Sequence, residues 1–153
     1  MIDREMQKME GRWFLQYSGC PLWKKGSIDT ISFDFELMHK GEDLVLKEQV
    51  EYRKNAKMKV KKGFEIPDEK NGTFRWRGVG MNRLFRNTSK VLYNAEGILV
   101  MWFEKTVSTP ESIDILTRKK HLTAHESGYI FRILETIEDA RKFIPNLESV
   151  NIL

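Results

Sequence analysis

The chain has 153 residues and carries 26 Lys and Arg against 22 Asp and Glu, a net charge of +4; this length suits one domain with a sizeable core over residues 1–153, and the charge is too modest to imply a nucleic-acid partner. Cys20 is the only cysteine, which excludes an internal disulfide, and no apolar run reaches the length of a membrane-spanning helix. Met1–Glu10 is charged and lacks the apolar stretch of a signal peptide, so the expected compartment is the cytoplasm, or the periplasm or exterior if a leader is cleaved.

Met1–Glu10 spaces Ile2, Met6 and Met9 along one face of a short helical turn, which Gly11 ends. Gly11–Cys20 reads as a first strand with Trp13, Leu15 and Tyr17 on one face, and Pro21–Ser27 as a loop holding Trp23. The second strand, Ile28–His39, has the cleanest pattern in the chain. Ile31, Phe33, Phe35 and Leu37 are apolar, while Thr30, Ser32, Asp34 and Glu36 between them are polar. Successive side chains on a strand point to opposite faces, so this segment has one oily and one wet face.

Lys40-Gly41 makes a turn, and a third strand follows over Asp43–Lys54, with Leu44, Leu46, Val50 and Tyr52 on one face and Glu48 as a charged intruder. The fourth, Lys57–Ile66, sets Met58, Val60, Phe64 and Ile66 on the apolar side, with Lys62 sharing their parity. Lys57, Lys59, Lys61 and Glu65 face the other way. Asn71-Gly72 is a hairpin signal. The fifth strand, Thr73–Val79, sets Phe74 and Trp76 against Arg75 and Arg77. Gly80–Asn87 is left unassigned, and a sixth strand lies near Thr88–Tyr93.

Ile98–Val107 is apolar on both faces, which requires a cover on each. After Thr109-Pro110-Glu111 an eighth strand runs over Ser112–Arg118. Thr123 and Glu126 have capping-box spacing, and Ile130, Ile133, Leu134 and Ile137 recur as one helical stripe. That stripe is the expected outer cover of the seventh strand. Phe143 and Ile144 either begin a short last strand or extend the helix to Pro145, which stops it.

Eight consecutive antiparallel strands with tight turns point to an all-β, up-and-down closed barrel with a short N-terminal helical turn and a C-terminal helix packed outside. A two-sheet sandwich uses the same alternation, but sequential hairpins suit a meander better. Gly11-Arg12-Trp13 at the start of the first strand resembles the Gly-x-Trp signature of lipocalins. Ile113–Arg118 resembles their last barrel strand with its closing arginine, and Ala140–Ile144 is similar to the tail of bacterial lipocalins. Asn94-Ala95-Glu96-Gly97 stands where the family has Thr-Asp-Tyr, so the resemblance is to an outlying, bacterial-type member of the lipocalin and calycin superfamily. Fatty-acid-binding proteins insert two helices after the first strand, and Pro21–Ser27 is too short for them. The resemblance implies that Gly11, Trp13 and Arg118 form a structural plug at the closed end.

A barrel of this size can hold one small ligand or be filled by its own side chains. The expected lining is Tyr17, Phe33, Phe35, Leu46, Val50, Met58, Val60, Phe64, Phe74 and Trp76, with Tyr93 and Met101 joining and Glu48 as a polar anchor, alone or paired with Lys62. The expected partner is a small hydrophobic or amphipathic molecule such as a fatty acid, lipid or pigment, with no nucleic acid, and with the protein a monomer or homodimer. His39, His121 and His125 lie at turns or at the helix start, and no metal-spaced cluster occurs, so no catalytic residue, metal or cofactor is expected. One alternative is a barrel enzyme, an isomerase or hydrolase acting on an apolar molecule. Another is weak docking to an anionic membrane through Lys57, Lys59, Lys61, Arg75 and Arg77.

Overall fold

In the computed structural model, which describes residues 2–24, 26–80 and 86–153, the alternating strands close on themselves. Helix α1 (Ile2–Met9) leads into β1 (Gly11–Ser18), β2 (Ile28–Lys40), β3 (Asp43–Lys54), β4 (Lys57–Asp68), β5 (Thr73–Gly78), β6 (Arg86–Ala95), β7 (Ile98–Phe103) and β8 (Ser112–Thr117). Each strand pairs antiparallel with the next, and β1 pairs with both β2 and β8, which closes an eight-stranded barrel and removes its free edges. Within the unassigned Gly80–Asn87 segment, residues 81–85 lie outside the described residues, and Arg86 opens β6.

The chain then leaves the wall. Helix α2 (Ala124–Thr136) starts at a complete capping box, in which Glu126 N–H donates to the Thr123 hydroxyl and Thr123 N–H to the Glu126 carboxylate. Helix α3 (Glu138–Arg141) and a 3₁₀ turn, Ile144–Asn146, follow, so Pro145 sits inside a short turn. The last strand, β9 (Glu148–Ser149), pairs with β1 at Tyr17 and Ser18, beyond the point where β1 and β2 part. Thr30 N–H donates to the Asn151 carbonyl at 2.8 Å, so the tail caulks the opening between β1 and β2.

Two apolar cores result, one on each side of the β7–β8 wall. The inner core fills the barrel with Met6, Met9, Trp13, Leu15, Leu46, Leu99 and Leu116 towards the end that α1 covers. The outer core sandwiches Ile98, Val100, Ile113 and Ile115 against Ile130, Ile133 and Leu134 of α2. The two oily faces of the seventh strand are thereby both covered, as its composition requires.

Three irregularities reset which residues face the lumen. In β1 the register shifts between Leu15 and Tyr17, in β2 between Asp29 and Ser32, and in β6 between Val91 and Tyr93. Each inserts an extra residue and turns the following side chains to the opposite face. In β2 the shift holds Thr30 at φ +53°, a left-handed conformation that a β-branched residue rarely takes.

Candidate functional site

The site begins with a two-residue turn. Asn55 and Ala56 both have positive φ, +52° and +64°, the conformation of a tight type I′ hairpin. That turn pairs Lys54 with Lys57 and so sets the whole register: Tyr52 opposes Lys59, Val50 opposes Lys61, Glu48 opposes Gly63 and Leu46 opposes Glu65. Directly opposed residues share a face of the sheet. Lys61, Gly63 and Glu65 therefore look into the lumen beside the apolar face of β3. The row continues from Glu65 to Trp76 on β5 and Asn87 on β6.

This register overturns the expected face of the fourth strand. Met58 and Val60 are 59% and 51% exposed on the outside, and Lys62 is exposed beside them. Phe64 lies half-buried on the outer face with Lys40 Nζ 5.0 Å from its ring centre. Two further expected lining residues leave the lumen at the bulges. Tyr17 packs edge-on against Phe131, ring centres 4.9 Å apart, in the outer core, and Tyr93 joins the same core. Phe33, Phe35, Leu46, Glu48, Val50, Phe74, Trp76 and Met101 do face inward. Of the basic stripe, Lys57, Lys59 and Lys61 share the inward row of β4, with Lys57 and Lys59 at its exposed end, and Arg75 and Arg77 lie outside.

Several lumen groups escape a reading based on apolar alternation: Glu65, Lys61, Asn87, Ser89 and the β8 residue Asp114, which opposes Met101 and Ser18. Glu48, Glu65 and Asp114 are 6%, 2% and 2% exposed. Burial dominates their titration. It pushes the Glu48 carboxyl up to about 7, against the pull of the Trp76 indole N–H and the Lys61 ammonium. Glu65 is held well above the usual carboxylate range, first by burial and then by its neighbour Glu48. Asp114 also rises to about 7 by burial, although the Ser18 hydroxyl, donating at 2.5 Å, pulls it down. Burial lowers Lys61, and Glu48 partly restores it.

The lumen leaves polar atoms unmatched. Among the described residues, Glu65 Oε2, Asn87 Oδ1, Ser89 Oγ and Trp76 Nε1 are buried with no hydrogen-bond partner; the indole N–H acts on Glu48 electrostatically without reaching hydrogen-bond geometry. Gly63 makes room for Trp76: a Cβ there would stand 2.5 Å from Trp76 Cε2 and 2.6 Å from the Arg77 carbonyl. Lys61 Nζ sits 5.0 Å from the Trp76 ring centre.

At the closed end the geometry is that of a plug. The guanidinium carbon of Arg118 lies 3.7 Å from the centre of the Trp13 ring, and its N–H groups donate to the carbonyls of Lys8, Glu10 and Arg12. Trp13 Nε1 donates to the Met9 carbonyl at 2.8 Å. Gly11, at φ +107°, fits beneath because a Cβ would stand 2.7 Å from Arg118 Nη1.

A cavity of about 430 Å³ lies against β5, β6 and the β7–β8 loop, and Trp76 and Asn87 contribute to it. Another, of about 460 Å³, lies outside the wall between α2 and the end of β8, lined by Ile98, Arg118, Leu122, His125 and Tyr129. Neither cavity is lined by Glu48, Glu65, Ser89 or Asp114. Among the described residues no three His, Cys, Asp or Glu side chains converge to hold a metal ion.

The sequence matches no family model and no curated protein. The structure is similar to the bovine lipocalin allergen Bos d 2, with a TM-score of 0.63 and 16% identity over 95% of this chain and 93% of that one. It is also similar to the siderocalin Ex-FABP, a protein of dual ligand specificities, with a TM-score of 0.63 and 11% identity over 94% of each chain. The fold is lipocalin-like: a closed eight-stranded barrel with an N-terminal helix and a C-terminal helix packed outside.

Proposed function

We propose that the barrel binds and carries one small amphipathic molecule, its apolar body against Phe33, Phe35, Val50 and Met101 and its polar end at the belt formed by Glu48, Glu65, Trp76, Asn87 and Ser89. The observation that carries this reading is the set of buried, unpartnered polar atoms facing the lumen. A barrel whose interior served packing alone would gain by filling these positions with apolar side chains, because each orphaned buried group costs about 1–3 kcal/mol. A guest that supplies the missing partners recovers that cost on binding. The lipocalin-like neighbours support the reading at the level of fold.

The apolar part sets the scale. Burying ~400 Å² of ligand apolar surface is worth about 10 kcal/mol at ~25 cal/mol/Å². Association costs at least ~4 kcal/mol, which leaves a Kd of roughly tens of micromolar before any polar contact is made. Native mass spectrometry of protein purified without delipidation, with thermal shift against 1-octanol and related eight-carbon amphiphiles, tests the proposal. Expected are a bound mass or a saturable rise in melting temperature. A bare protein that none of these molecules stabilises would rule out the carrier.

A further inference from the structure

Resting on that reading, we infer that the lumen selects molecules whose polar end is a protonated amine, held between Glu65, Asn87 and Ser89 under Trp76. An ammonium has three N–H donors and no acceptor. The unmatched atoms at this level of the barrel include three oxygens that accept: Glu65 Oε2, Asn87 Oδ1 and Ser89 Oγ. Glu65 and Asn87 flank Trp76 on one cross-strand row, and Ser89 is the next inward position beyond Asn87 on β6. Glu65 and Ser89 are 2% and 1% exposed, so neither is satisfied by bulk water.

The charges favour a cation as well. The groups that face the site are Glu48 from β3, Lys61 and Glu65 from β4, Asp114 from β8 and, after β1, the Cys20 thiol, which burial holds up and therefore neutral. Lys61 already stands over the Trp76 ring and interacts with the charge of Glu48, one inward position along β3 from its partner Val50. Its position shows that this wall holds an ammonium beside a carboxylate and an indole face. Among the described residues, no group hydrogen-bonds Glu65 Oε2. A fatty-acid carboxylate in the same place brings only acceptors and could be seated only while Glu65 stays protonated to donate to it.

A proton signature follows. Burial holds the Glu48 carboxyl up to about 7 and keeps Glu65 well above the usual carboxylate range, whereas an alkyl amine stays protonated to about pH 10. Seating the ammonium favours the ionised carboxylate, so binding expels a proton and tightens as pH rises from about 6 to 8.

The test is calorimetric titration of the full chain with n-octylamine, 1-octanol and octanoate, at pH 6 and pH 8, in two buffers of different ionisation enthalpy. Expected are octylamine affinity at least tenfold above that of octanol and octanoate at pH 8, tighter binding at pH 8 than at pH 6, and release of a substantial fraction of a proton near pH 7. Glu65→Gln and Ser89→Ala, each checked for a native circular dichroism spectrum, should bring the ratio of octylamine to octanol affinity down to within about threefold of one. Octanol or octanoate binding as tightly as octylamine overturns the amine inference and leaves the carrier standing. Absence of binding by all three overturns both. An amine preference that persists in Glu65→Gln and Ser89→Ala places the amine elsewhere and overturns the assignment.

Discussion

Arg118 touches three carbonyls and one indole ring at once, and each contact depends on the planar, forked shape of its guanidinium. Part of the side chain is in water, and burial lowers its pKa only against a very high starting value, so it stays charged. Arg118→Ala should cost about 1–3 kcal/mol in urea unfolding, and Arg118→Lys should recover less than half, because an ammonium is a point donor. Asp114 makes the opposite case, an acid stabilised by remaining neutral. Its carboxyl ordinarily titrates near ~3.9, and folding raises it to about 7. Between those values the folded chain binds more protons than the unfolded one, so this contribution is whole at low pH, declines as pH rises and is gone above about 7. Asp114→Asn keeps an acceptor for Ser18 and cannot ionise. It should match the parent protein at pH 4 and exceed its stability at pH 8 by roughly 2–4 kcal/mol in denaturant titrations; equal stability at both pH values would remove Asp114 as the cause.

Among the elements, β4 decides the character of the lumen. Its outer face is the more apolar one, with Met58, Val60, Phe64 and Ile66, and its inner face is Lys61, Gly63 and Glu65. The strand does not choose the face that its own hydrophobicity favours, because the Asn55-Ala56 turn ties it to β3 and eleven residue pairs tie β3 to β2. Turning β4 over would break the ladder on both sides of it. Gly63 is the position where this packing is tightest. Gly63→Ala should lower stability by about 1–3 kcal/mol and shift the near-ultraviolet circular dichroism of tryptophan, since Trp76 must move or the Arg77 backbone must yield. An unchanged spectrum would mean that the indole does not lie across Gly63.

For the molecule as a whole, two cores share one wall. Val100, Ile113 and Ile115 are fully buried beneath α2, while Leu99, Met101 and Leu116 on the same two strands are buried in the lumen. The outer core and the proposed ligand site are thereby separable. Tyr17→Ala removes the contact with Phe131 from the outer core and should lower stability by about 1–3 kcal/mol, with affinity for octylamine unchanged within twofold. A parallel loss of affinity would show that the helix layer shapes the lumen through the wall.

The order and number of the strands, the covered seventh strand and the Thr123 cap are all legible in the chain, because each follows from short-range pattern: alternation, turn residues, capping spacing. The Gly11–Trp13–Arg118 grouping joins residues more than a hundred positions apart and was legible only through the resemblance to lipocalins. Glu48 is legible as an inward acid for the same reason, being in phase with Leu46 and Val50. A signal for Glu65 was also present, since a two-residue turn at Asn55-Ala56 pairs Leu46 with Glu65. Counting apolar residues along β4 hid it, because that strand carries its oily face outward. The placement of Tyr17 and Tyr93 outside, and of Asp114 beside Ser18, had no comparable local mark. Those positions depend on where the closing ring inserts its extra residues, and closure is a condition on all eight strands together. Local periodicity specifies a strand's two faces; only the mutual register of the assembled barrel determines which of them looks inward.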